Sequence, residues 1–255
     1  MEAKNYLNEK SVAIVPLGSV EQHGPQGPLG TDYIIPFELC KKIEAALGDA
    51  VVILPTMPFG VCPYHIDFPG TLNIGYEAMR GVMWNVTDSL YRHGIRRILF
   101  FNGHGGNGPA LDSVSLDLFQ RGAFAVTLEW WTVVAELNAA WKGGHGDWQE
   151  TAALMSLRPE TVKNPAPFTP GINQPSEAVK VNYITQLAFK GASLRAVRNV
   201  AAVIDNGGYV AQDKAPTIDE GRAMMDAVIN YTIDFIREFA TLDLDKIHYK
   251  GKLLG

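Results

Sequence analysis

Four short apolar runs mark the first half of the chain. They are residues 11–18 (SVAIVPLG), 50–58 (AVVILPTMP), 96–102 (RRILFFN) and 123–130 (AFAVTLEW). Continuous apolar runs of this length read as strands buried on both faces. Helix-period segments lie between them. In residues 37–47, Leu39, Ile43 and Leu47 recur every fourth position, and residues 76–92 and 110–119 are further helix candidates. Strands alternating with helices predict βαβ units. The fold class expected is a three-layer α/β/α sandwich with a mainly parallel sheet.

The second half is less regular. Residues 159–175 carry five prolines, a pattern for a loop or arm rather than a regular element. A last helix is clear: Thr217 and Glu220 have capping-box spacing, and Met224, Val228, Tyr231, Phe235 and Phe239 then mark one apolar face. With no internal repeat or boundary signal, residues 1–255 read as a single domain with a proline-rich excursion.

Composition narrows the function. Of 255 residues 47% are apolar and 19% charged, the profile of a packed globular protein. A net charge of -5 with no basic run leaves no footprint for nucleic acid. No apolar stretch approaches the roughly 20 residues needed to span a bilayer. The N-terminal residues are polar, unlike a signal peptide, and Cys40 and Cys62 fit two thiols in a reducing compartment. The expectation is a cytoplasmic protein acting on a small molecule.

Ligands of parallel α/β sheets bind at the carboxyl ends of the strands. The ends of the first, second and third strands carry chemistry, and one further constellation follows the fourth. After the first strand comes GSVEQHGP…PLGTD. Glu21 and His23, two apart, point the same way in extended backbone, and Asp32 follows a Pro/Gly turn that can fold back beside them. Carboxylate, imidazole and carboxylate suit zinc, manganese or iron. The third strand ends in FNGHGGN, where glycines flank His104. This loop lacks the spacing of a P-loop or a dinucleotide fingerprint. In HGDWQET, Asp147 and Glu150 are either a helix cap or, for Glu150, a metal ligand beside a proton-shuttling His145. Spacing alone favours the cap. His65, in YHIDFPGT, either lines the pocket or holds its loop. Trp130, Trp131, Trp141 and Trp148 crowd the same region as core or as substrate wall.

Together GSVEQHGP…PLGTD, HIDFPGT, FNGHGGN and HGDWQET, with the later DNGGYVAQDKAPTIDEG, resemble the creatininase (creatinine amidohydrolase) family over roughly residues 10–235. The resemblance implies a two-metal site of Glu21, His23, Asp32 and His104, with Asp32 bridging. Many members carry a glutamate where this chain has Gly106, and Glu150 matches the replacement ligand of glycine-bearing members. His145 matches the family's candidate acid/base, so His145 and Glu150 are the expected catalytic residues. Trp141, Trp148 and His65 are the expected substrate contacts. Gln26 departs from a common histidine, with Gly27 beside it. Two divalent ions (Zn, Mn or Fe) and a homo-oligomer, a hexamer in the family, are implied.

The activity expected is hydrolysis of a non-peptide, cyclic amide C–N bond by metal-activated water. The alternatives are hydrolytic C–C opening of an inositol-derived cyclic ketone, favoured by the amide capacity of Gln26, and an inactive binding protein on the same fold. A stabilising structural metal is disfavoured, because structural zinc sites are closed and rich in cysteine.

Overall fold

The computed structural model describes residues 6–163, 171–183, 185–204 and 214–248. The middle of the proline-rich stretch and residues 205–213 of the last family-like motif lie outside the described residues. In chain order the elements are β1 (Val12–Leu17), α1 (Thr31–Leu47), β2 (Val51–Ile53), α2 (Tyr76–Arg92), β3 (Arg97–Asn102), α3 (Gly108–Gln120) and β4 (Phe124–Glu129). There follow α4 (Trp130–Leu137), α5 (Trp148–Leu157), β5 (Val179–Tyr183), β6 (Gln186–Phe189), β7 (Ala192–Arg195), α6 (Ile218–Thr241) and α7 (Leu244–Ile247).

The main sheet runs β2-β1-β3-β4, and every pairing in it is parallel. Its faces alternate along each strand as the pleat requires. Val12, Ile14, Leu99 and Phe101 pack toward α1, α5 and α6, while Ala13, Val15, Leu17, Ile98 and Phe100 pack toward α2 and α3. Helices therefore cover both faces, giving the three-layer α/β/α sandwich expected. Each fully buried Leu, Ile or Phe adds about 1.5–3 kcal/mol. Leu17 pairs with Asn102 and Asn102 with Glu129, so the carboxyl ends of β1, β3 and β4 finish level. Among the described residues, no helix is long and apolar enough to cross a membrane.

Two expectations change. The capping box of α6 is present, with the Glu220 N–H donating to the Thr217 hydroxyl at 3.2 Å. Its buried face, however, runs through Met224, Met225, Val228, Ile229, Thr232, Ile233, Ile236 and Phe239, and Tyr231 is exposed. The interior of this helix is a broad Ile/Met stripe, and the aromatic spacing marked only one edge of it. Beyond the proline-rich stretch, where the sequence reading named no strand, regular structure resumes. Strands β5, β6 and β7 form a separate antiparallel sheet, with Lys190 and Gly191 in the left-handed region between β6 and β7. Two consecutive left-handed residues make the tight turn that suits hairpin twist. Phe189, Leu194 and Val197 are exposed there.

Arg97, at the start of β3, is buried and ties the sheet to the end of α6. Its guanidinium donates to the carbonyls of Phe239 (2.9 Å), Leu242 and Glu9. Arg97→Met keeps the bulk and strands these acceptors. Urea unfolding should show a loss of about 2–3 kcal/mol with an unchanged m-value. A loss under about 0.5 kcal/mol, the size of an ordinary surface substitution, would show the tie to be dispensable.

Candidate metal centre

The loop after β1 is pinned at two points. The Glu21 N–H donates to Leu29 and the Leu72 N–H to Val20, both at 2.9 Å. Asp32 lies in the first turn of α1, whose start presses onto the ends of β1 and β3. A Cβ at Gly103 would sit 1.9 Å from the Asp32 carbonyl oxygen, and one at Gly18 would sit 2.3 Å away. Pro36 lies inside α1. Having no N–H, it leaves the carbonyl four residues back without its helical donor.

Two asparagines position His104. The Asn102 side chain brackets its backbone, accepting from the His104 N–H (3.1 Å) and donating to its carbonyl (2.8 Å). Asn107, fully buried, donates to the carbonyl of Gly18 (3.0 Å) and accepts from the Val61 N–H (3.0 Å). The Val61 carbonyl in turn takes the His104 Nε2–H at 3.0 Å. That bond fixes the ring so that Nδ1 faces inward. His23 is set in the opposite tautomeric sense. Its Nδ1–H donates to the Glu21 carbonyl (3.0 Å) and Nε2 faces inward.

The inward atoms converge on Asp32. Its Oδ1 is 2.9 Å from His23 Nε2, and its Oδ2 is 3.1 Å from His104 Nδ1. Glu21 Oε1 lies 3.3 Å from His104 Nδ1, and Glu150 Oε2 lies 3.5 Å from His23 Nε2. All five side chains are buried. Burial alone would discharge the imidazoles. Asp32 and Glu150 outweigh it and raise His23 to about 10. His104 is likewise held well above the ordinary histidine value, against burial, by Glu21 and Asp32. Burial would raise Asp32, but His23 and His104 hold it far below the usual carboxylate range. Burial pushes the Glu150 carboxyl up to about 8.

Glu150 combines a hydrogen bond at the start of α5 with a place beside His23. Asp147 caps α5 through the Gln149 N–H (2.8 Å), and Glu150 Oε2 accepts from the Gly146 N–H at 2.6 Å while facing His23. Gly106 has no space for a side chain, because a Cβ there would lie 2.0 Å from the Val61 carbonyl oxygen. A glutamate at this position, which the resemblance leads one to look for, has no room here.

His65 and His145 stack at 4.3 Å between ring centroids and line a cavity of about 520 Å³ with Glu21 and His104. Gln22, which the sequence reading passed over, joins the two rings. Its amide nitrogen is 2.9 Å from His65 Nδ1 and 2.8 Å from His145 Nε2. Burial, then the neighbouring imidazoles, hold His145 well below its ordinary value, and burial also lowers His65. The tryptophans divide differently from expectation. Trp148 lies in the hydrophobic core with Lys214 over its ring, and Trp141 packs against that core. Trp131 lines a second cavity, of about 470 Å³. The Gln26 amide donates to the Gly146 carbonyl at 2.6 Å, and Gly27 abuts His23, so both support the loops behind the cluster.

This donor set fits metal. Glu21 Oε2, His23 Nε2 and Asp32 Oδ2 are buried and make no hydrogen bond of good geometry. Glu21, Asp32 and His104 bring three ligand atoms within 4.8 Å of one another, and Glu150 Oε2 lies 3.5 Å from His23 Nε2. Buried polar atoms without partners are costly unless a cation sits among them. Each inward histidine nitrogen is also fixed by a hydrogen bond at the other, a recurring feature of metal-ligating histidines.

The fold and cluster define an α/β sandwich with a carboxylate–imidazole metal site at the strand ends. The family model described as creatinine amidohydrolase (creatininase) matches residues 1–236, and the chain belongs to that family. It is 34% identical over 156 residues to a mycofactocin precursor peptide peptidase of Mycolicibacterium smegmatis, covering 59% of this chain and 60% of that protein. It is 27% identical over 170 residues to a 3-dehydro-scyllo-inosose hydrolase of Thermotoga maritima, covering 62% and 54%. The matches thus span less than two thirds of either relative. A solved creatininase with Mn superposes with a TM-score of 0.69 at 22% identity, covering 91% of this chain and 92% of that one.

The Asn107 side chain holds the Val61 segment that fixes the His104 tautomer. Asn107→Ala should weaken zinc binding about 10- to 100-fold in chelator competition while leaving the far-UV spectrum native. Unchanged affinity would show that His104 is oriented without it.

Proposed function

We propose that this chain is a metal-dependent hydrolase that cleaves an amide C–N bond. The carrying observation is that Asp32 turns one oxygen to each of two imidazoles while Glu21 and Glu150 flank the pair. Glu21, Asp32 and His104 would hold one divalent ion. His23, Asp32 and Glu150 would hold the second. Solved creatininases with Mn and of Zn–Zn type support zinc or manganese, and the ligand chemistry also admits iron. Such ions, when bound, polarise a carbonyl and bring the pKa of water toward neutrality.

The chain's own residues do the rest. Amide cleavage needs a proton on the departing nitrogen, because an amide anion is too basic to leave. Glu150, facing His23 beside the cluster, is the group given to handling it, with His145 next to it. His65 lines the substrate side.

The substrate expected from the sequence is a non-peptide cyclic amide. One observation favours a second, larger class. The two cavities share His104, Gly105, His145 and Gln186, so they adjoin at the cluster, one reaching past His65 and Tyr64 and the other past Trp131 and Glu150. A substrate with groups on both sides of the scissile bond, such as a short peptide, fits that arrangement, and the M. smegmatis relative is named as a peptidase. The ring-opening alternative keeps the T. maritima relative in its favour and loses the support drawn from Gln26, whose amide is engaged by Gly146.

Glu150→Gln can still accept the Gly146 N–H but ligates poorly. It should lower metal affinity about 10- to 100-fold and lower kcat/KM on a panel of cyclic amides, formamides, short peptides and an inositol-derived ketone. Normal metal content and rate would leave Glu150 as a cap alone. Turnover of the ketone with every amide refused would overturn the amide assignment and keep the metal hydrolase.

A further inference from the structure

Glu21, His65 and His145 bring three potential ligand atoms within 4.8 Å of one another, a spacing that would also suit an additional ion. The hydrogen bonds of Gln22 point elsewhere. Its Oε1 accepts from the Gly24 N–H at 3.2 Å, which fixes which end of the amide is oxygen. A flipped amide would set its NH2 group against that N–H. The Nε2 end, a donor only, then faces His65 Nδ1 at 2.9 Å and His145 Nε2 at 2.8 Å. Both ring nitrogens must be acceptors. The remaining protons therefore sit on His145 Nδ1, 3.4 Å from Glu21 Oε1, and on His65 Nε2, 3.8 Å from the same oxygen.

We propose that Gln22 is a positioning residue that locks His65 and His145 as a pair of neutral imidazoles. Each turns an N–H, not a lone pair, toward the cluster. Two consequences follow. Neither ring has a lone pair left on its inner side, so both stay out of the metal shell although their spacing would admit an ion. His145, lining both cavities, acts as a fixed hydrogen-bond donor to the negative charge that develops on the substrate carbonyl. Its outer nitrogen is blocked by an amide that cannot give up a proton, so His145 does not relay one, and that task falls to Glu150. This division of labour rests on the hydrolase reading above. The tautomer does not.

The test is nitrogen-15 NMR of the histidine side chains in the full chain loaded with zinc, which is diamagnetic. The wild type should show His145 protonated at Nδ1 alone and His65 at Nε2 alone, with at most two zinc per chain. Gln22→Glu replaces the donor by an acceptor. It should reverse both tautomers, turn the lone pairs inward and lower kcat about 100-fold with a smaller change in KM. Gln22→Met, which neither donates nor accepts, should lose less. A merely structural Gln22 would give equal losses in the two variants and no tautomer reversal. The opposite tautomer or a doubly protonated ring in the wild type overturns the proposal, as does a third zinc held by His65 and His145. These readings need no substrate, so they stand or fall apart from the hydrolase assignment. Correct tautomers with an unchanged kcat in a reversed Gln22→Glu protein would overturn the hydrogen-bonding role.

Discussion

Three carboxylates, Glu21, Asp32 and Glu150, share one buried pocket with His23 and His104 at the end of the main sheet. Like charges removed from water are tolerable only with positive charge between them or with one carboxyl protonated, as burial favours at Glu150. Without an ion, protons on His23 and His104 provide it, which is why burial fails to discharge those rings. With divalent ions, those protons would leave and the same oxygens and nitrogens would be free to ligate. Much of the surrounding structure serves this exchange. Gly18 and Gly103 let α1 carry Asp32 onto the strand ends, and Asn102 and Asn107 hold the His104 loop.

The architecture of the first half was legible because it is written locally. Runs of consecutive apolar residues identified β1 to β4, and the expected helix over residues 76–92 has the same bounds as α2. The face of α6 was placed too far toward Tyr231, because aromatic spacing caught one edge of a stripe that Ile229, Ile233 and Ile236 complete. The hairpin strands β5 to β7 were missed although their signal is local: short alternating runs broken at Lys190-Gly191. The prolines just upstream drew the reading toward a structureless arm.

The site was legible in part, through motifs whose ionisable residues name a metal by their chemistry. Glu21, His23, Asp32, His104 and Glu150 do converge. What spacing could not reveal are contacts between segments far apart in the chain. Gln22 meets His65 and His145 across 43 and 123 positions, and Asn107 meets Gly18 across 89. A glutamine and an asparagine inside motifs dominated by ionisable residues carry no local sign of those partners. The tryptophans show the converse. Trp148 stands beside the chemistry in sequence, but its ring is taken into the core, and Trp131, two residues past β4, reaches the cavity instead.

The central claim is that the buried carboxylates are held for divalent ions. Its most direct test is elemental analysis of the purified chain, before and after chelation, with activity followed on re-addition of zinc or manganese. The account predicts up to two equivalents per chain, loss of activity when they are removed, and recovery when they return. Full activity in a chain stripped of metal would contradict it.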